Sequence, residues 1–414
     1  MSPSDAAAAI FAVTYAGIAI GGIPGLAIDR TGIALLGAIA MVASGALVPG
    51  EAMRAVNMPT IILLYSLMVL SGQLRLSGFY TGVALKIKRF AGRPAVFLGA
   101  LMLVAAFLSA LLANDIVCLA FTPVICLSLL EASMNPVPFL LGLACASNIG
   151  SAATIIGNPQ NMLIGQVAGL RFGRFLLWCA PPSALSLAAA YLAILALSKG
   201  KWEAGAGPSA VPAAPVSKDE WPRFDPHQSA KGLVIAGALI IMFFTPVPRE
   251  LSAVIAAGIL LASRKMETRK ILAMVDWHLI TLFCALFIVV GGMSKYGMPR
   301  HAVSWLEGHN VDLNRPYVLS LITLAMSNVL SNVPAVMLIL KHIDLAATKN
   351  LYVLALISTY AGNLITVGSI ANLITIEQAK SFGVSIGFRE HARIGVPVTV
   401  LSVLIAFAWI AVAG

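Results

Sequence analysis

The chain has 414 residues, of which 59% are hydrophobic and 11% charged. A soluble domain carries about 25% charged residues, so this composition excludes one and points to a polytopic membrane protein. The net charge of +10 comes from basic residues scattered through short loops between apolar runs, which fits the positive-inside rule and excludes a nucleic-acid surface.

The first apolar run, 6–24, follows Asp5 with no basic n-region and no small-residue cleavage site, so a retained helix is expected rather than a signal peptide. Further runs long enough to span occur at 31–48 and 59–77. A basic, amphipathic piece follows, with Arg75, Lys86, Lys88, Arg89 and Arg93. Two apolar limbs, 95–112 and 116–131, then flank Asn114 and Asp115. An interrupted run, 137–168, and a clean one, 174–198, complete the first half. Residues 199–230 are rich in Gly, Ala, Pro and charge, with Lys218, Asp219, Glu220 and Arg223, and read as a cytoplasmic linker. The five cysteines (118, 126, 145, 179 and 284) fall in apolar segments at no metal-ligand spacing, so neither a disulfide framework nor a zinc site is expected.

The second half repeats the first. At a shift of 219 residues TGIALLGAIAMVAS (31–44) falls on ELSAVIAAGILLAS (250–263), Gly72 on Gly291 and Gly78 on Gly297. Asn114 lands near Asn332, Asn148 near Asn363, IIGNPQN near TVGSIAN, and GLRFGRF has its echo in GVSIGFR. The expected domains are a membrane repeat over 1–198, the linker, and a second repeat over 231–414. If Leu111–Pro123 is the tip of a re-entrant hairpin, each repeat has five spans, and an odd number inverts the second copy. About two-thirds of the 27 Lys and Arg then share one face, which should be cytoplasmic, with both termini outside. The expected fold class is an all-α polytopic membrane protein of two inverted repeats, each with five transmembrane helices, a re-entrant helical hairpin and an interrupted helix.

Broken backbone is tolerated in hydrocarbon only where protein buries it or where it lines a watery cavity. An acid at that depth costs about 2.5–3.5 kcal/mol even on the lenient insertion scale and marks a functional site. Inverted repeats with paired interruptions are the pattern of secondary transporters, whose sites lie where the repeats meet. The candidate substrate-binding residues are Asn114, Asn148, Thr154, Asn158 and Asn161 in the first repeat, and Asn332, Asn363, Thr366, Ser369 and Asn372 in the second. Asparagine supplies both donor and acceptor and tolerates unusual backbone; the competing reading is that these residues only cap half-helices. Asp115, with Val333 at the matching position, is the expected proton or cation carrier. Glu377 is next in line, although a snorkelling role suits it better. Cys118 and Cys145 read as small hydrophobes. Trp178, Trp277 and Trp409 read as interfacial anchors, and His278 and His301 as loop or interface residues. With one deep Asp and no His near it in sequence, an enzyme is not expected, nor a cofactor or metal.

LLANDIVCLAFTP, SNIGSAATIIGNPQN, LSNVPAVML and AGNLITVGSIAN resemble the signature segments of the arsenical pump membrane protein (arsenite permease) family of the ion transporter superfamily. The resemblance implies a multi-pass protein of the cell inner membrane that exports arsenite or antimonite, or a similar small oxyanion or neutral hydroxide, in exchange for protons. It leaves open sodium as coupling ion, a soluble ATPase subunit and homo-oligomer formation. The alternatives within the superfamily are a sodium/proton antiporter or a carrier of a small anion such as a dicarboxylate or silicate. Dicarboxylate carriers usually show Ser-Asn-Thr at both hairpin tips. Here the tips read Ala113-Asn114-Asp115 and Ser331-Asn332-Val333, which speaks against that class.

Overall fold

Short polar residues just ahead of apolar runs decide where the helices begin. In the computed structural model, which describes residues 2–21, 27–90, 92–202, 222–298 and 312–413, the first half contains ten helices. They are α1 (Pro3–Ile20), α2 (Arg30–Ala43), α3 (Pro49–Ala55), α4 (Met58–Leu76), α5 (Phe79–Lys88), α6 (Pro94–Leu111), α7 (Asn114–Glu131), α8 (Val137–Ser151), α9 (Pro159–Val167) and α10 (Phe172–Leu197). The second half has α11 (Pro226–Met242), α12 (Arg249–Leu261), α13 (Thr268–Leu272), α14 (Trp277–Lys295), α15 (Pro316–Leu330), α16 (Asn332–Ile339), α17 (Thr348–Ala361), α18 (Ile370–Lys380) and α19 (Phe388–Val412). No strand occurs among the described residues. Seven of these helices (α1, α4, α6, α7, α10, α14 and α19) are long and apolar enough to cross a membrane.

Two expected boundaries move. The run 31–48 stops as a helix at Ala43, because Gly45 turns the chain at φ 73° and Pro49 opens α3. At the linker, the Asp225 side chain accepts from the backbone N–H groups of His227 and Gln228 at 2.9 and 3.0 Å. It thereby starts α11 at Pro226, inside the stretch expected to be linker. Residues 203–221, with Lys218, Asp219 and Glu220, and also His301, lie outside the described residues.

The repeat is visible in the packing. Asn57 and Asp276, one repeat interval apart, cap α4 and α14 with side-chain bonds of 3.0 and 2.9 Å. Gly78 and Gly297 both sit in left-handed backbone, at φ 72° and 70°. A Cβ placed on Gly72 would lie 2.7 Å from that of Met274, and one on Gly291 would lie 2.7 Å from that of Ala55. Met274 is the counterpart of Ala55 at the same shift, so the two glycines make one contact seen from either half.

The halves are inverted. Trp178, near the start of α10, has its ring 6.4 Å from that of Trp409, near the end of α19. At the other end the Arg393 guanidinium donates to the Leu197 carbonyl at 3.3 Å. The two equivalent helices therefore pack antiparallel. Inversion places the α6–α7 and α15–α16 loops on opposite faces, yet both reach one cavity, so both hairpins are re-entrant. Eighteen residues make each α6–α7 limb about 27 Å long, more than half of a hydrocarbon core of about 30 Å. The base of that hairpin must project beyond the core. There Lys88 pairs with Glu131 at 2.9 Å.

Candidate functional site

The first tip forms where α6 ends at Leu111, Leu112 runs extended, and α7 restarts at Asn114. Hydroxyls from neighbouring segments bond to the backbone around the tip. Ala113 N–H donates to Ser71 Oγ at 3.1 Å, Ser147 Oγ to the Asn114 carbonyl at 3.2 Å, and Thr154 Oγ1 to the Ala110 carbonyl at 2.5 Å. The Ser109 and Ser147 hydroxyls are 2.9 Å apart. At the second tip the break falls on Ser331, which stands at φ 78°, ψ 159°, a region occupied almost only by glycine.

The two interrupted helices are built alike. Between α8 and α9 the Asn158 side chain accepts from Asn161 N–H at 2.9 Å and caps α9. Asn161 Nδ2 donates to the carbonyls of Ser151 and Thr154 at 3.4 and 3.0 Å. Between α17 and α18, Ser369 is the cap, accepting from Ala371 N–H at 3.2 Å, and Asn372 Nδ2 donates to the carbonyls of Gly362 and Ile365 at 2.7 and 3.2 Å. Apart from the capped N–H, one constant offset carries each member of the first set onto the second: Ser151 onto Gly362, Thr154 onto Ile365, Asn158 onto Ser369 and Asn161 onto Asn372. The breaks thus replace helical hydrogen bonds with amide ones, as a buried interruption requires.

This offset corrects one expected correspondence. Asn148 matches Thr359, not Asn363, whose counterpart is Ala152. Instead the two asparagines meet: Asn148 Nδ2 donates to Asn363 Oδ1 at 2.8 Å and to Asn372 Oδ1 at 3.3 Å. Across the repeat interface Ser369 Oγ donates to Asn148 Oδ1 at 2.9 Å, and Asn158 Nδ2 to Thr359 Oγ1 at 3.2 Å. Asn158 corresponds to Ser369 and Thr359 to Asn148, so these are one contact made twice about a pseudo-twofold axis.

At this crossing lies a cavity of about 30 Å³, lined by Asn114, Asp115, Asn148, Asn158, Pro159, Gln160, Ser331, Asn332, Val333, Gly368, Ser369 and Ile370. That volume is on the order of one water molecule's share of liquid. Both tips and both breaks contribute. Asp115 is the only ionisable group in the lining, and no Lys, Arg or His belongs to it among the described residues. Among the described residues Asn332 Oδ1 has no hydrogen-bond partner, so an acceptor stands free at the second tip.

Of the candidate residues, Asn114, Asp115, Asn148, Asn158, Asn332 and Ser369 are brought together here. Thr154, Asn161, Asn363, Thr366 and Asn372 lie outside the lining. Thr154, Asn161 and Asn372 brace the breaks through the bonds above, and Asn363 orients Asn148. Sequence reading missed Gln160 and Thr359. Gln160 lines the cavity and donates to Thr359 Oγ1 at 3.3 Å. Its place between Asn158 and Asn161 was the available signal, whereas Thr359 looked like one more residue of a buried helix. Cys118 and Cys145 are buried and outside the lining. Glu377 is exposed, paired with Lys380 at 2.7 Å and outside the lining, which removes it from the site. His278 is exposed in the first turn of α14.

The same architecture occurs in known proteins. The chain matches the citrate transporter family over residues 15–361. It is 31% identical over 433 residues to a 46 kDa membrane protein of Mycobacterium leprae (strain TN), covering 97% of each chain. It is 25% identical over 491 residues to the putative transporter arsB of Dictyostelium discoideum, covering 92% of this chain and 87% of that one. It is 27% identical over 446 residues to the silicon efflux transporter LSI3 of Oryza sativa subsp. japonica, covering 92% of each. The YdaH transporter of Alcanivorax borkumensis, whose crystal structure is described as having an unusual topology, superposes with a TM-score of 0.57 at 12% identity, over 100% of this chain and 97% of that one, and shares the fold. Two inverted halves that meet at a polar cavity, in a chain that matches this family along most of its length, make the protein a multi-pass membrane transporter of the citrate transporter family, within the ion transporter superfamily.

Proposed function

We propose that the protein is a secondary active transporter that exports arsenite or antimonite, or a similar small hydroxylated species, in exchange for protons. The observation that carries this reading is the polar lining of the central cavity: amides and hydroxyls, one carboxyl and, among the described residues, no cationic side chain. Arsenous acid is neutral at pH 7, and its hydroxyls need donors and acceptors of that kind. A tricarboxylate would bring several charges into a small site with no counter-charge, where unpaired charge is costly. Silicic acid is also a neutral hydroxide and suits the same lining, in keeping with the rice relative's name.

In this scheme the residues at the crossing hold substrate, and Asp115 carries the proton. Substrate and proton compete for one site, so the loaded forms alternate and exchange follows. The basic loops face the cytoplasm of the inner membrane and both termini lie outside, with residues 199–230 as the cytoplasmic connection. The first hairpin then opens from the cytoplasm and the second from outside. Rocking of the inverted halves about the crossing exposes the site to each face in turn.

The test uses everted vesicles with an acid lumen, together with equilibrium binding at two pH values, and arsenite, silicate and citrate as substrates. Asp115→Asn should keep most binding while losing gradient-driven accumulation. Asn114→Ala and Asn332→Ala should weaken binding itself. Full gradient-driven transport by Asp115→Asn would reduce Asp115 to a helix cap and sink the coupling scheme. Accumulation of citrate alone would sink the substrate reading.

A further inference from the structure

A second cavity opens away from the central one. It measures about 690 Å³ and lies between the α9–α10 turn and the α11–α12 turn. Its construction follows from the local sequence. Gly169 ends α9 with left-handed backbone at φ 59°, and the second turn carries Pro246 and Pro248. Phe172 packs against Phe243, tilted, and Phe244, edge-on, with ring centroids 5.6 and 5.1 Å away, and joins the two turns. Arg249 forms the floor: its guanidinium donates to the carbonyls of Leu170 and Gly165 at 2.5 and 2.7 Å. Gln166 Nε2 occupies Glu250 Oε2 at 3.1 Å.

Arg171 and Arg174 remain. Both are exposed on the cavity wall, and neither has an ion pair or side-chain hydrogen bond among the described residues. With Arg249 and Glu250 the lining carries a net charge of +2 (three Arg less one Glu). The starts of α10 and α12 also open here, and neither has a side-chain cap, which adds to the positive potential. Leu177 and Phe244 at the edge of the lining lead onto exposed apolar stripes that run away from the cavity. Leu177, one turn beyond Arg174, is 76% exposed, and Leu185 and Leu192 continue its stripe down α10. Ile241 and Val234 form a second stripe on α11, below Phe244. In a membrane protein such stripes face acyl chains. The half-buried Trp178 lies beside Leu177, and tryptophan marks the headgroup level.

We propose that this cavity binds the phosphate of an anionic phospholipid, with Arg171 and Arg174 on the headgroup and the acyl chains along the Leu177–Leu185–Leu192 stripe. A freely soluble phosphate would satisfy the arginines but has no use for the stripes, which is why a lipid is the better occupant. The site lies at one end of α9, and Asn158 caps the other end at the central cavity. Arg249 holds the carbonyls at the lipid end, so an occupied headgroup site braces the half-helix that shapes the transport site.

The experiment uses the purified full chain in mild detergent. Phosphatidylglycerol and phosphatidylcholine of identical acyl chains are compared by retention in native mass spectrometry and by thermal shift. Phosphatidylglycerol should be retained and should raise the melting temperature, with an effect that weakens at high salt. Arg171→Gln/Arg174→Gln should bind it about tenfold to thirtyfold more weakly. Arg171→Lys/Arg174→Lys, which keeps the charge, should retain most of the binding and shows that loss in the first variant is not misfolding. Equal retention of the two lipids, or unchanged retention by the Gln variant, overturns the proposal. A shift produced equally well by glycerol phosphate or inorganic phosphate assigns the cavity to a soluble anion and overturns the lipid assignment.

Discussion

Gly150 on α8 faces the backbone of α6 so closely that a single methyl group tests the architecture of the first hairpin. A Cβ on Gly150 would lie 2.2 Å from the Ala106 carbonyl oxygen, 2.3 Å from its Cα and 2.6 Å from its carbonyl carbon. Backbone atoms cannot rotate away, so α6 and α8 must part by roughly 1 Å to reach ordinary contact at about 3.5 Å. Small residues at such crossings are what let membrane helices approach. The same separation stretches the Ser109–Ser147 bond, now 2.9 Å, to nearly 4 Å, and with it the Thr154 bond to Ala110 at the tip. Overpacking costs about 1–3 kcal/mol, and each lost buried hydrogen bond about 1 kcal/mol. Gly150→Ala should therefore destabilise by about 3–5 kcal/mol, lower the melting temperature by on the order of 5 °C or more, and displace the tip that carries Asp115. The control is Gly142→Ala on the same helix. Its Cβ meets the Cδ1 end of Leu98 at 2.7 Å, the far end of a side chain rather than backbone, whose shift costs about 0.5–1.5 kcal/mol. Thermal unfolding in detergent and vesicle transport decide between them. Equal melting temperatures and transport for the two variants would refute the backbone-contact argument.

The remaining predictions concern surface charge and topology. Hydrogen bonding to Lys295 at 2.6 Å, followed by the Val48 backbone, holds the Glu51 carboxyl below the usual glutamate range. Its contribution to stability is present above the ordinary value near 4.3 and is lost as pH falls through the lower folded value. Glu51→Gln should therefore narrow the difference in melting temperature between neutral pH and about pH 3, with the effect reduced by salt; an unchanged acid limb removes the pair's role. Single cysteines at Lys86 and Lys265 in a Cys-free background should resist an impermeant thiol reagent added to intact cells and react once the membrane is opened. Labelling from outside would invert the proposed orientation.

Much of this fold was legible because its signals are local. The spacing of apolar runs located the spanning helices. The recurrence of glycines at a fixed interval located the duplication, since Gly78 and Gly297 occupy the same left-handed turn. The hairpin tips were legible because Asn and Asp have no place in a plain apolar limb. What failed was register at the broken helices. The interval from Asn158 to Ser369 is shorter than that from Gly78 to Gly297, so Asn148 looked like the mate of Asn363 when it is its hydrogen-bonded neighbour. Residue type concealed the true mates. Asn158 and Ser369 perform one task, as do Thr359 and Asn148, with an amide exchanged for a hydroxyl in each pair. The cavity at Arg171 and Arg174 was invisible to periodicity because it forms between two turns far apart in the chain. Nothing in either turn alone marks it.

The backbone at Ser331 makes the two hairpin tips unequal. Its counterpart Ala113 rests at φ −58°, while Ser331 is held at φ 78°, ψ 159°. A non-glycine residue there stores about 1–3 kcal/mol. Two inverted gates made of identical parts would leave a carrier indifferent between facing in and facing out. Tension held in one latch removes that indifference: the conformer that lets Ser331 relax gains roughly fivefold to a hundredfold in population relative to a symmetric device. If the proposed rocking of the halves frees Ser331 in one posture, the empty carrier waits in that posture. Ser331→Gly should shift the ratio of inward- to outward-facing protein measured by spectroscopic distances between labels on the two hairpins. An unchanged ratio would mean that the tension does not differ between the two postures.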